Sequence, residues 1–134
     1  MSILLDFLKS VAGISETKPL AQGLWRLDRN IVTVKIDQVP ELQRSGGAVY
    51  LTGSGLKEPI LVIADNEGSY HSFSNRCTHF GRKLDPVPGK PALRCCSLNH
   101  STFDYQGANL KGPAKKPIQV YRTELKNSEL FITL

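Results

Sequence analysis

CTHFGRKL at residues 77–84 and CCSLNHSTFD at residues 95–104 are the two stretches whose reading decides the fold. Cys77-Thr78-His79 is followed by 16 residues and then by Cys96-Ser97-Leu98-Asn99, with His100 next in line. Each stretch sets thiol and imidazole groups within a few residues of each other, and such donors suit transition metals better than calcium or magnesium. Cys77, His79, Cys96 and His100 have the number and type of donors that one structural zinc ion takes. Asn99 brings only a hard, neutral amide.

Around these stretches the chain reads as short strands divided by turns. Val32, Val34 and Ile36 alternate with polar residues, as do Val49 and Leu51, while residues 60–63 form a continuous apolar run and residues 70–74 follow the turn Asp65-Asn66-Glu67-Gly68. These four segments read as meandering antiparallel pairs. Residues 93–96, 102–104, 118–121 and 130–134 continue the pattern, with turns at Gln106-Gly107 and Asn127-Ser128. Strands at this spacing predict an all-β sandwich or barrel. Thr52-Gly53-Ser54-Gly55 has no Lys-Ser/Thr behind it and leads into no helix, so it reads as a hairpin loop and not as a phosphate cradle.

Ahead of the strands, residues 2–13 predict a short helix: Ser2 caps it, Ile3, Leu4, Phe7, Leu8 and Val11 form one stripe, and Gly13 ends it. The division that follows is residues 1–24 as helix and linker and residues 25–134 as the domain. The stripe packs on the domain or a second subunit, or else makes peripheral contact with a membrane surface, a role for which Lys9 alone gives little electrostatic help.

The longest apolar run, residues 60–64, is far short of the ~20 residues of a spanning helix, so no transmembrane segment is expected. No basic residue precedes the apolar start and Asp6 and Lys9 interrupt it, so the reading is a cytoplasmic protein without a signal peptide. Three cysteines, two of them adjacent, make a poor disulfide framework and fit reduced thiols or metal ligands. The net charge of +5 is concentrated beside the two stretches, with Arg76, Arg82, Lys83, Lys90 and Arg94 around the first and Lys111, Lys115, Lys116, Arg122 and Lys126 after the second. That excess serves solubility, or docking of an acidic partner or an anionic membrane. No repeated aromatic platform accompanies it, so nucleic acid is not expected as a partner.

From about residue 31 onward the chain resembles the Rieske family, in which Cys-x-His and Cys-x-x-His loops each give a thiolate to one iron and an imidazole to the other iron of a [2Fe–2S] cluster. The family's second loop runs Cys-x-x-His-x-Ser-x-Phe/Tyr-Asp, and Cys96, Ser101, Phe103 and Asp104 match it while Asn99 stands in the place of the histidine. GPAKKPI at residues 112–118 takes the place of the family's proline loop, with Gly112 and Pro113 beside the cluster. The resemblance implies a Rieske-type antiparallel β fold, a [2Fe–2S] cluster, and electron transfer to a redox partner protein. It assigns Cys77 and Cys96 to one iron, His79 to the other, and Ser101 as a hydroxyl donor to a bridging sulfide. Phe103 stands where high-potential members have a tyrosine, and Arg82 and Leu98 where some have a disulfide.

Three arrangements answer the loss at Asn99. His100 supplies the missing imidazole, Cys95 supplies a third thiolate, or no cluster is bound and the domain is a binding or assembly module. Extended backbone up to Cys96 turns Cys95 away from its neighbour, where it serves as a small buried apolar residue. His71 reads as an ordinary strand histidine outside the site.

Overall fold

The computed structural model describes residues 17–78, 83–95, 101–112, 114 and 116–134. The expected helix at residues 2–13 lies outside them. The strands are β1 (Lys18–Pro19), β2 (Trp25–Asp28), β3 (Ile31–Lys35), β4 (Ala48–Leu51), β5 (Ile60–Ala64), β6 (Tyr70–Ser74), β7 (Leu84–Pro86), β8 (Ala92–Cys95), β9 (Thr102–Asp104), β10 (Asn109–Lys111), β11 (Val120–Lys126) and β12 (Glu129–Thr133). They form an eight-stranded sheet in the order β1-β4-β5-β6-β11-β12-β3-β2 and a four-stranded sheet in the order β10-β9-β8-β7. The expectation of an antiparallel all-β domain holds: β1 with β4 is the one parallel pair among the described strands.

β5 explains why there are two cores. Side chains alternate between the faces of a strand, yet all five residues of β5 are buried, so both faces must be covered. Ile60, Val62 and Ala64 enter one core with Val32, Val34, Val49, Leu51, Leu130 and Ile132, around which the large sheet curls. Leu61 and Ile63 enter a second core with Phe73, Cys77, Leu84, Leu93, Cys95, Phe103, Ala114 and Ile118. The small sheet therefore rides on the outer face of β5 and β6, and its strands β7, β8 and β9 flank the two cysteine-containing stretches in the chain.

Two features differ from the sequence reading. β4, β5 and β6 form the expected meander, but β3 lies between β12 and β2 and touches none of them in the ladder. The two 3-10 turns Ile36–Gln38 and Pro40–Gln43 carry the chain away after β3, and the β11–β12 hairpin fills the place beside it. That hairpin closes at Asn127 and Ser128, whose φ values of 50° and 65° suit the tight turn that matches strand twist. The segment read as linker also joins the domain: Lys18 and Pro19 pair with Val49 and Tyr50, and Leu20 reaches the first core. Buried Asp85 holds it there, accepting from Thr17 N–H at 2.9 Å and Thr17 Oγ1 at 2.7 Å.

His71 joins the two sheets. Its Nε2 lies 2.8 Å from Asp65 Oδ2, and its ring stacks on Tyr105 of the small sheet's side with centroids 4.4 Å apart. Burial pushes the Asp65 carboxyl up, but hydrogen bonds from His71 and the Ser69 and Glu67 amides outweigh it and leave the group below the usual carboxylate range.

Phe73 is fully buried where β6 meets the second core. Phe73→Ala is expected to cost about 3–5 kcal/mol in urea unfolding, from lost burial plus the cavity left behind. A cost below about 1 kcal/mol would mean that the small sheet is not seated on β6 as described.

Candidate metal centre

The first loop leaves the end of β6 and returns at the start of β7. Cys77 stands at its entrance, 2 % exposed and inside the second core. Asn75 spans the neck: its backbone N–H donates to Pro59 O at 2.8 Å, and its Oδ1 accepts the Leu84 N–H at 2.8 Å. Leu84 is in turn the ladder partner of Cys95, the residue before the second loop. At that loop's far end Cys95 N–H donates to Ser101 O at 2.8 Å. One run of hydrogen bonds thus joins the bases of both loops.

A third segment closes on them. Ser101 Oγ, buried, accepts the Ala114 N–H at 3.0 Å, and Asn109 Nδ2 donates to Ala114 O at 2.9 Å. Gly112, at φ +94°, lies so close that a Cβ on it would stand 2.5 Å from Ser101 Cα. Thr78 Oγ1 donates to Lys116 O at 2.7 Å, tying the first loop to the same segment. Since Ser101 uses a lone pair on Ala114, its hydroxyl proton remains for another acceptor.

Of the residues read from sequence, Cys77, Ser101 and Gly112 are brought to one end of the small sheet. His79, Cys96, Asn99, His100 and Pro113 lie outside the described residues. Among the described residues no three His, Cys, Asp or Glu side chains are placed to hold a metal ion. Cys95 is 1 % exposed on the same face of β8 as Leu93, within the second core, as strand alternation predicts. Asn75, Thr78 and Asn109 were not legible as site residues, because short polar side chains acquire such roles only once distant segments meet. Asn75 Nδ2 is buried with no acceptor among the described residues, a state that costs about 1–3 kcal/mol.

The rim is basic and partly apolar. Leu110 on edge strand β10 is 56 % exposed, with exposed Lys111 and Lys116 near it in the chain.

Comparison with known proteins agrees with this fold. The sequence profile of the Rieske [2Fe-2S] domain matches residues 32–122. Over 91 residues the chain is 32% identical to the glycine betaine monooxygenase oxygenase subunit of Pseudomonas aeruginosa, covering 58% of this chain and 20% of that protein. It is 26% identical over 94 residues to cytochrome b6-f complex iron-sulfur subunit 2 of Trichormus variabilis, covering 69% of this chain and 52% of that one. The chain therefore spans about a fifth of the first relative and about half of the second. Among solved structures, the ferredoxin of carbazole 1,9a-dioxygenase from Nocardioides aromaticivorans superposes with a TM-score of 0.61 at 20% identity, covering 75% of this chain and 93% of that one. A complex of reduced oxygenase and oxidized ferredoxin in carbazole 1,9a-dioxygenase gives 0.64 at 15% identity, covering 79% and 94%. At these identities the structural likeness carries the fold alone.

Gly112→Ala places a methyl group against the Ser101 backbone at a φ that disfavours side chains. Its cost in urea unfolding is expected to exceed the about 1–3 kcal/mol of backbone strain alone. Gly89→Ala, at φ +72° with nothing within 4 Å of a Cβ, is the control that carries backbone strain alone. Equal costs for the two would show that Gly112 is not packed on Ser101.

Proposed function

The chain belongs to the Rieske [2Fe-2S] domain family, and on that premise we propose that it is a one-electron carrier whose cluster is held by Cys77 and Cys96 on one iron and by His79 and His100 on the other. The observation that carries this reading is the shared neck. Leu84 pairs with Cys95, Cys95 bonds Ser101, and Ser101 bonds Ala114, so three loops converge where a cluster needs ligands from two of them. The described residues fit such a group: a buried thiol at Cys77, a buried hydroxyl at Ser101 with a proton to give, and a close backbone approach at Gly112. When bound, the cluster supplies reversible storage of one electron.

His100 takes the fourth position on chemical grounds. The Asn99 amide is a hard neutral donor, whereas the His100 imidazole is the same kind of donor as the family histidine whose place Asn99 takes. The burial of Cys95 beside Leu93 supports leaving that thiol in the core. Ser101 fits a donor to a bridging sulfide, and Phe103 offers no hydroxyl for a second such bond, so hydrogen bonding raises the potential less than in members with a tyrosine.

The partner is a protein with an acidic, partly apolar face, read from exposed Leu110, Lys111 and Lys116 beside the loops. The relative solved in complex with its oxygenase is a precedent for such a partner. Among the described residues no helix is long and apolar enough to cross a membrane.

Anaerobically purified protein is expected to contain two irons per chain and to give an EPR signal on reduction. Asn99→His rebuilds Cys-x-x-His in register and should raise iron occupancy. Zinc in place of iron, or no metal in either protein, would favour the structural zinc site or the cluster-free module respectively. Electron transfer to the partner should slow as salt rises through about 0.1 M, where screening acts within ~10 Å. A rate indifferent to salt and to charge reversal of Lys111 and Lys116 would leave the basic rim as solubility charge.

A further inference from the structure

Asn75 is fully buried at the neck of the first ligand loop, and its two amide ends are treated differently. Only the oxygen can accept the Leu84 N–H, at 2.8 Å, so the orientation of the amide is fixed by its partner. Nδ2 is thereby turned to the other side, where it is buried and has no acceptor among the described residues. Cys77, two residues onward, is 2 % exposed and shares the second core with Leu84. A thiol sulfur is a weak acceptor, whereas a sulfur carrying thiolate charge accepts an N–H more strongly.

From this we infer that Asn75 is a positioning residue for the cluster: its Oδ1 holds the loop closed at Leu84, and its Nδ2–H donates to the Cys77 thiolate when that thiolate binds iron. The inference rests on the cluster reading above. It gives the buried amide a partner that arrives with the metal, so closure of the loop and charge on the ligand are felt by one side chain. The bond also favours the reduced cluster, in which the sulfur carries more negative charge, and so raises the reduction potential.

The test uses the full chain labelled with 15N in asparagine and reconstituted anaerobically with iron and sulfide. Pulsed EPR of the reduced wild type should show a weak 15N coupling that Asn75→Asp abolishes. That variant keeps an oxygen for Leu84 and loses the N–H, and it should release iron to a chelator about 10- to 100-fold faster. Absence of the coupling in wild type, or a wild-type release rate in Asn75→Asp, overturns the inference and leaves the cluster reading standing. Failure of the wild type to take up iron overturns both. If circular dichroism shows that Asn75→Asp does not fold, labelled protein carrying Asn99→His and Asn109→Ser together decides, since these remove the other asparagines at the loops. A coupling kept there supports the donor, and its absence overturns it.

Discussion

The hydrogen bond from Leu84 N–H to Asn75 Oδ1, 2.8 Å long and buried, is the contact on which the arrangement of loops depends. It fixes where the first loop returns, and Leu84 then sets the register of β7 against β8 through Cys95. That register decides where the second loop departs, and Ser101 carries the placement on to Ala114. An error of one residue at Leu84 would invert the faces of β7 and move Leu84 out of the second core. The second core resists this, because Leu84, Leu93, Cys95 and Phe103 are all nearly inaccessible to solvent. Packing and polar pairing thus specify the same geometry.

The base under these loops is β5. A strand buried on both faces is a costly element to expose, so it anchors one sheet on each side and leaves little freedom between them. Redox work benefits from such a base, because a cluster site that keeps its geometry between oxidation states has less to reorganise when an electron arrives. On the proposed ligation the redox change would fall on the cluster and its thiolate and imidazole ligands, which hydrogen bonds from the frame can tune.

Much of the fold is legible in the sequence. The uninterrupted run at residues 60–64 marked a buried strand, Asn127-Ser128 marked a hairpin turn, and residues 102–104 marked β9. His71 read as an ordinary strand histidine, and it is hydrogen-bonded to Asp65 and stacked on Tyr105. The neighbours of β3 were not legible: its partner β12 lies near the other end of the chain, and alternation tells which face is buried without telling which strand lies beside it. β7 and β10 are three residues each, β7 ends in proline, and Leu110 on β10 is exposed, so neither carries a usable apolar pattern. Thr17 to Leu20 read as linker because the need they satisfy, at Asp85 and Tyr50, is set far along the sequence.

The central claim is that the second imidazole comes from His100, one residue past the family's position at Asn99, and the chain's three histidines make that countable. His71 is engaged with Asp65 and Tyr105, so the proposed reading gives both iron imidazoles to His79 and His100. Pulsed EPR of the reduced protein labelled with 15N in histidine should therefore resolve two strongly coupled nitrogens, and His100→Ala should remove one of them. A single coupled nitrogen in the wild type, unchanged by His100→Ala, would contradict the assignment of His100 and point to a third thiolate or another donor in its place.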